Sequence, residues 1–331
     1  MSTIAVDAMG GDSAPEEVVK GAILAKKEGV DVILSGDENL IKSYLGNEKI
    51  PVINYPQVIS MDDDPAKAIR SNKDSSIIGA LNLVKEKKAD AVFSAGSTGA
   101  TLIGAISVLG KIKGVTRPTI ASVLPGKEKE VILVDSGANL EVKPKVLYQF
   151  AIMGSKLSEL LFDIENPRIG LINNGEESSK GRELEKATFK LLKSSQLNFI
   201  GNVEGKDFAN SKVDVFVTDG FTGNVVLKTL QGVAKLQQDL ISKSLKENLF
   251  KPLLIPVKNA ISPVKSMLNP NSTNGSYLLG VNGLVIIGHG SSNSEAIKNA
   301  LLFTSRAVES DSLTNLQKFQ VNYECKGFKK I

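Results

Sequence analysis

The chain of 331 residues is 42% hydrophobic and 23% charged, which is ordinary for a globular protein and enough for one large α/β domain or two lobes. A lone cysteine (Cys325) excludes a disulfide framework and a structural zinc site, a lone histidine (His289) excludes a His-rich metal centre, and 5% aromatics without tryptophan argue against stacking platforms for single-stranded nucleic acid. The net charge of +4 is local: between Ile241 and Lys265 five lysines face only Glu247, so the remainder is formally neutral.

The N-terminus opens on a strand, Thr3 to Val6, with no basic-then-apolar signal segment, and no run reaches transmembrane length. Cytoplasmic residence is the expectation. That strand runs into Asp7-Ala8-Met9-Gly10-Gly11-Asp12, and the next helix is expected over Pro15–Glu28, with Val18, Val19, Ala22, Ile23 and Ala25 on one face. Val32 to Leu34 reads as a short strand and Ile77 to Lys87 as a helix. Ala91 to Phe93 leads into the turn Ser94–Ala100, after which Thr101–Leu109 is apolar almost all round and predicts burial between layers. Ile120–Leu124 and Glu130–Val134 flank Pro125-Gly126-Lys127-Glu128-Lys129, a spacing that predicts an antiparallel hairpin and hence a mixed sheet. Helices are expected over Val146–Leu161 and Glu176–Leu192, from Asn224 toward Phe250 (where Pro252, Pro256 and Pro263 interrupt), and over Ser294–Glu309. Without an internal repeat or a tether, residues 1–331 read as a single interwoven α/β domain, with 241–268 a basic amphipathic helical excursion.

Polar, glycine-rich turns follow most of the apolar runs, at Asp7, Ser94, Asp135, Asn173, Thr218 and Gly288. In an open α/β sheet the carboxyl ends of the strands share one edge, so these turns predict one site built from many loops. Glycine admits a ligand close to the backbone and helix-start amides favour an anion, so a phosphate-like group suits them.

Asp219-Gly220-Phe221-Thr222-Gly223-Asn224 is the richest turn. Plain capping is one reading; the other has Thr222 and Asn224 donating to a ligand, with Asn224 stabilising an oxyanion. In Asn173-Asn174-Gly175-Glu176-Glu177-Ser178-Ser179-Lys180, the lysine is a candidate phosphate anchor against a bland surface helix start. Gly10 and Gly11, and Ser97-Thr98-Gly99, fit neither a Walker loop nor the dinucleotide fingerprint. Lys67 and Arg70 sit on a charged helix that is either a solvated face or a cationic arm over an acidic ligand. His289, between two glycines, is either structural or a general acid. Asp7, Asp135 and Asp219 end strands; without a metal-ligand spacing they read as caps, and no metal is expected. The basic stretch, with Lys243, Lys246 and Lys251 beside Leu253 and Leu254, suits a dimer-interface arm, a dock for an acidic protein or a shallow membrane contact.

Together, IAVDAMGGDSAP (4–15), 65–76, AGSTGA (95–100), DSGANLEVKPKVLYQFAIMG (135–154), GNVEG (201–205), DGFTGNVVLK (219–228) and LGVNGLVIIGHGSS (279–292) resemble the acyl-carrier-protein:phosphate acyltransferase family (PlsX) of bacterial phospholipid synthesis. Ser97, where asparagine is common in the family, and Asn174 depart from the pattern. The resemblance implies a three-layer α/β/α sandwich like the isocitrate and isopropylmalate dehydrogenases, a homodimer, no cofactor, and conversion of acyl-ACP and inorganic phosphate to acyl phosphate and free ACP. It implies catalytic roles for Lys180 and Asn224, joined by His289 as the candidate acid. Asp7, Gly10, Gly11, Arg70, Ser97, Thr98, Gly99, Asn139, Asp219, Thr222 and Gly223 are the expected phosphate and substrate contacts. Lys243, Lys246, Lys251, Leu253 and Leu254 are expected to meet acyl carrier protein or membrane, with a downstream glycerol-phosphate acyltransferase as a further partner and no nucleic acid. Alternatives are transfer from short acyl-CoA, a decarboxylating dehydrogenase, and a non-catalytic carrier- or membrane-binding module.

Overall fold

The computed structural model describes residues 2–248 and 275–309. In the first half lie strands β1 (Thr3–Asp7), β2 (Asp31–Gly36), β3 (Val52–Asn54), β4 (Ala91–Ser94), β5 (Thr119–Leu124) and β6 (Val131–Val134). The rest are β7 (Ile169–Ile172), β8 (Phe199–Val203), β9 (Val215–Val217), β10 (Ser276–Leu279) and β11 (Leu284–Ile287). Among the described residues they form one sheet in the order β3-β2-β1-β4-β11-β10-β5-β6-β9-β7-β8. Strands β4 to β7 are buried along their whole length, which is why they read as mostly apolar runs without polar alternation.

Strand direction corrects the expectation of a single loop-bearing edge. Strands β3, β2, β1, β4 and β11 are mutually parallel, as are β6, β9, β7 and β8. Three successive antiparallel pairings, β11 with β10, β10 with β5 and β5 with β6, separate the two sets, so the sets run in opposite directions. The turns after β1, β4 and β11 therefore lie on one edge and those after β6, β7 and β9 on the other. The expected hairpin of β5 and β6 is present, with Leu124 opposite Val131.

One face of the sheet is covered throughout. Helices α1 (Glu16–Lys27), α2 (Glu38–Leu45), α6 (Pro144–Phe162), α7 (Glu183–Lys193) and α9 (Ser294–Glu309) pack there on a shared core that includes Val19, Phe93, Val134, Phe150, Tyr277 and Leu301. The other face carries two separate apolar clusters. Helices α3 (Pro65–Ser71), α4 (Ser76–Lys85) and α5 (Thr98–Val108) bury Ile69, Leu81 and Ala105 over Val92 and Val285. Beyond β5, Leu133, Phe216 and Phe208 form the second cluster, against which Val226 and Leu227 of α8 (Gly220–Asn248) pack. Strand β5 spans both: Ile120 belongs to the first cluster, Leu124 to the second, and Ser122 lies between them on the same face. The result is a three-layer α/β/α sandwich with an interruption over β5 and β10.

Three helices differ from expectation, two in where they start and one in its burial. The helix expected from Glu176 starts only at Glu183, because Gly181 at φ 92° breaks the chain just before it. Helix α5 is buried along Ala100, Thr101, Gly104 and Ala105 alone, so it forms an outer layer and its apolar far side is only half-covered. Helix α8 begins at Gly220, four residues before Asn224, with Asp219 as its cap: the carboxylate accepts the Thr222 N–H at 2.7 Å. Of the basic stretch, Lys243 is exposed on α8 and Lys246 lies on its backbone, while Lys251, Leu253 and Leu254 fall outside the described residues. No described helix is long and apolar enough to cross a membrane.

The first turn of α8 is seated by contact. A Cβ on Gly223 would sit 1.8 Å from the Asp135 carbonyl oxygen, and one on Gly220 would sit 2.7 Å from the Asn139 backbone. Gly232, on the same helix, has nothing within 4 Å of its virtual Cβ. Gly223→Ala is therefore expected to cost about 3 kcal/mol of unfolding free energy by forcing α8 off the Asp135 loop. Gly232→Ala, through helix propensity alone, is expected to gain about 0.5–1 kcal/mol. Urea denaturation of the two variants checks this, and equal effects would contradict the seating.

Candidate active site

The interruption in the second helical layer is a cleft of about 320 Å³. Its floor is Ser122 and Ser276, one wall starts at Thr98 of α5, and the other carries Asn224 and Lys228 of α8. Gly288 and His289, just past β11, close one end, and Ser136 and Gly137, just past β6, close the other. A site fed by loops from both edges thus lies across the face of the sheet.

The floor is a hydroxyl chain. Ser122 donates to Ser136 Oγ at 2.8 Å, Ser136 donates to the Ile120 carbonyl at 3.2 Å, and Ser276 Oγ lies 2.8 Å from Ser122 Oγ. Each hydroxyl has one proton, so the chain runs inward from Ser276 and spends its donors on the protein. That leaves donation into the cleft to the walls.

Asp135 builds the wall at the α8 end. Its Oδ1 accepts from the amides of Gly137 (3.0 Å), Ala138 (2.9 Å) and Ile120 (3.4 Å), and its Oδ2 from the Asn139 amide and Asn139 Nδ2, both at 2.8 Å. Burial pushes the Asp135 carboxyl pKa up, and the N–H donors oppose that. Asn139 Nδ2 also donates to the Pro118 carbonyl at 2.8 Å, so this amide braces the loop and is buried. Asp219 is similarly occupied, capping α8 through one oxygen and taking an ion pair from Arg182 on the other. Among the described residues no group of three His, Cys, Asp or Glu side chains is arranged to hold a metal ion.

The first loops lie beside the cleft. Asp7 is buried, accepts from Ser94 Oγ at 2.7 Å, and has a second oxygen without a hydrogen-bond partner. Burial raises its pKa, and the neighbouring Ser76 and Ser94 hydroxyls oppose that. A Cβ on Gly10 would meet Gly96 N at 2.7 Å, so this glycine is demanded by the packing of one turn on the other. Asp7, Gly10 and Ser97 line a separate space of only about 10 Å³, room for about one water. Ser97 caps α5 through the Ala100 amide at 3.4 Å, Gly99 packs on Pro65, and Gly11 faces the Gly290 carbonyl. Only Thr98 of this group lines the cleft. Arg70 is exposed on α3, outside the cleft lining.

Asn224 and His289 are brought together in the cleft; Lys180 is not among its lining residues. Lys180 is exposed in the loop after β7, where its carbonyl accepts from Asn173 Nδ2 at 3.1 Å. The loop is tied to Asn202, whose Nδ2 donates to the Glu177 carbonyl at 2.8 Å, and reaches α8 through Arg182 and Asp219. Thr222 and Gly223 lie on the first turn of α8 without lining the cleft.

Lys228 is the residue that sequence reasoning passed over. Its Nζ lies 3.0 Å from His289 Nε2, and His289 Nδ1 lies 2.9 Å from Ser291 Oγ. The signal was available: Lys228 stands four residues after Asn224, on the same face of one helix. Partial desolvation holds the His289 pKa below its ordinary value, Lys228 adds to that, and Asp12 pulls weakly the other way.

The fatty acid synthesis protein family model matches residues 2–314. The phosphate acyltransferase of Pelotomaculum thermopropionicum is 44% identical over 98% of this chain and 96% of its own length. That of Leptospira biflexa is 45% identical over 92% of this chain and 93% of its own. Among solved structures, the EutD phosphotransacetylase of Staphylococcus aureus is similar at a TM-score of 0.59 and 18% identity, covering 93% of this chain and 94% of that one. A 4-hydroxythreonine-4-phosphate dehydrogenase from Klebsiella pneumoniae follows at 0.54 and 14%, covering 93% of this chain and 100% of that one, and both show the shared fold alone. On the family match and the near-full-length identity, the chain belongs to the fatty acid synthesis protein family that includes these phosphate acyltransferases, and it is an acyltransferase.

Proposed function

We propose that the protein transfers the acyl group of an acyl-carrier-protein thioester to inorganic phosphate, releasing acyl phosphate and free carrier thiol for phospholipid synthesis. The observation that carries this reading is the cleft itself, where an amide and an ammonium face one space over a floor of hydroxyls whose protons are already spent. Such a cleft offers charge and orientation and no activated nucleophile of its own. Phosphate needs none: at neutral pH one of its oxygens attacks the thioester carbonyl, the C–S bond breaks, and the thiolate leaves. The task left to the protein is to hold the two reactants together and to stabilise the oxyanion. Asn224 serves the oxyanion. Lys180, on the loop tied to α8 through Arg182, guides phosphate toward the cleft.

Acyl phosphate is a reactive mixed anhydride, which suits prompt use by a following glycerol-phosphate acyltransferase in the cytoplasm or at a membrane surface. A homodimer is supported by Val225, Val233, Leu236 and Leu240, exposed apolar residues spaced along α8. The local lysines (243, 246 and 251) give an acidic carrier protein a place to dock, which makes association salt-dependent.

Carrier thiol release from long-chain acyl-ACP is expected to rise saturably with phosphate and to be slower with acyl-CoA at equal concentration. No phosphate dependence would overturn the reading. Asn224→Ala is expected to lower kcat by about 10²–10³-fold with carrier binding retained. Lys180→Ala is expected to lower turnover too, and normal turnover in both variants would remove these roles. Replacing Lys243, Lys246 and Lys251 with Glu is expected to raise KM for acyl-ACP and flatten its salt dependence; an unchanged KM would make the stretch an ordinary solvated face.

A further inference from the structure

Two groups that can each carry a positive charge face one another at the end of the cleft. Lys228 Nζ, from α8, is 3.0 Å from His289 Nε2, from the loop after β11. An ammonium has only donors, so Nε2 accepts and the imidazole proton sits on Nδ1; of the two Ser291 groups near Nδ1, the hydroxyl at 2.9 Å takes that proton, and the amide, at 3.3 Å, is the longer contact that yields to it. Other charge near the ring comes from Asp12, whose loop is fixed by its amide donating to the Gly290 carbonyl at 2.8 Å. Lys228 has no carboxylate partner among the described residues. One of its protons is used on His289, and the others stand over the space that Asn224, Thr98 and Ser276 enclose.

We propose that Lys228 and His289 form a single oxyanion receptor in this cleft, which binds the phosphate acceptor and takes up a proton on His289 as it does so. The inference rests on the phosphate reading above and names the groups that hold that substrate. Two cations 3.0 Å apart repel, so the empty pair holds one charge; an anion lodged between them removes the penalty on the second. Lys228 then turns its N–H groups to the phosphate oxygens, and Nε2, having lost its donor, is protonated from solvent and becomes a donor itself. In turnover the phosphate oxygen bonds to the acyl carbon, the C–S bond breaks, and the sulfur takes the Nε2 proton. The departing acyl phosphate leaves the pair with one charge again. Lys228 is a binding residue here, and His289 is both its orienting acceptor and the proton donor.

The sole histidine makes the test direct, because one imidazole gives one set of NMR signals. A pH titration of His289 by ¹⁵N–¹H NMR is run on the full chain with and without phosphate, with sodium chloride holding ionic strength constant. Saturating phosphate is expected to raise the His289 midpoint by about one pH unit. Sulfate, which does not titrate in this range, is expected to move it the same way. In Lys228→Met the midpoint without phosphate rises, since the repelling cation is gone, and phosphate no longer moves it; Lys228→Arg keeps the response. Coincident wild-type curves with and without phosphate would overturn the receptor. Thiol release on the same samples separates the two readings. Phosphate-dependent release with a silent His289 overturns the receptor alone, and a responsive His289 without release supports the receptor and overturns the acyl-transfer reading.

Discussion

The buried Asp135 carboxylate is the constraint from which the rest of the cleft follows. By collecting five N–H donors from Ile120 and residues 137–139, it folds the turn after β6 into a rigid shelf. The start of α8 lands on that shelf so closely that residues 220 and 223 must lack a Cβ. Asp219 then caps the helix and Arg182 ties the neighbouring loop to the cap. With its first turn fixed, α8 projects Asn224 and Lys228 over β5 and β10. A buried carboxylate outside the cleft lining thereby aims side chains that line it.

The reversal of strand direction at β10 and β5 supplies the space those groups overlook. In a doubly wound parallel sheet a ligand sits beyond the carboxyl edge. Here two oppositely directed parallel sets meet, each brings its own helical cover, and the covers stop short of one another over Ser122 and Ser276. The site is consequently a trough across the sheet, polar at its base and flanked by Ile120 and Leu124. Its length places the Asn224 amide within one continuous space with the Lys228–His289 pair. That division suits a reaction in which one reactant is an anion and the other an acyl carbonyl.

Much of this was legible in the sequence. The apolar face of α1, the helices α6 and α9, and the hairpin around Pro125 and Gly126 follow from period and turn chemistry. Strand direction was not legible, because an apolar run reads the same whichever way it points and is decided by pairing partners distant in the chain. The glycines of the Asp219–Asn224 turn announced a close approach without saying to what, and the partner is the Asp135 backbone instead of a ligand. The acidic start at Glu176 resembled a helix beginning, yet Gly181 holds the chain at a positive φ that delays the helix to Glu183. Lys228 was passed over because its partner, His289, is 61 residues away and only the fold joins them.

The location of bound phosphate tests the central claim, that the trough between α5 and α8 is where the acceptor anion is held. A crystal structure of the full chain with phosphate, solved beside one without it, reads this directly. Phosphate is expected within hydrogen-bonding distance of Lys228 Nζ and His289 Nε2, on the Asn224 side of the trough. Phosphate held instead by Lys180 and the loop amides of residues 173–181, with the trough empty, would contradict it.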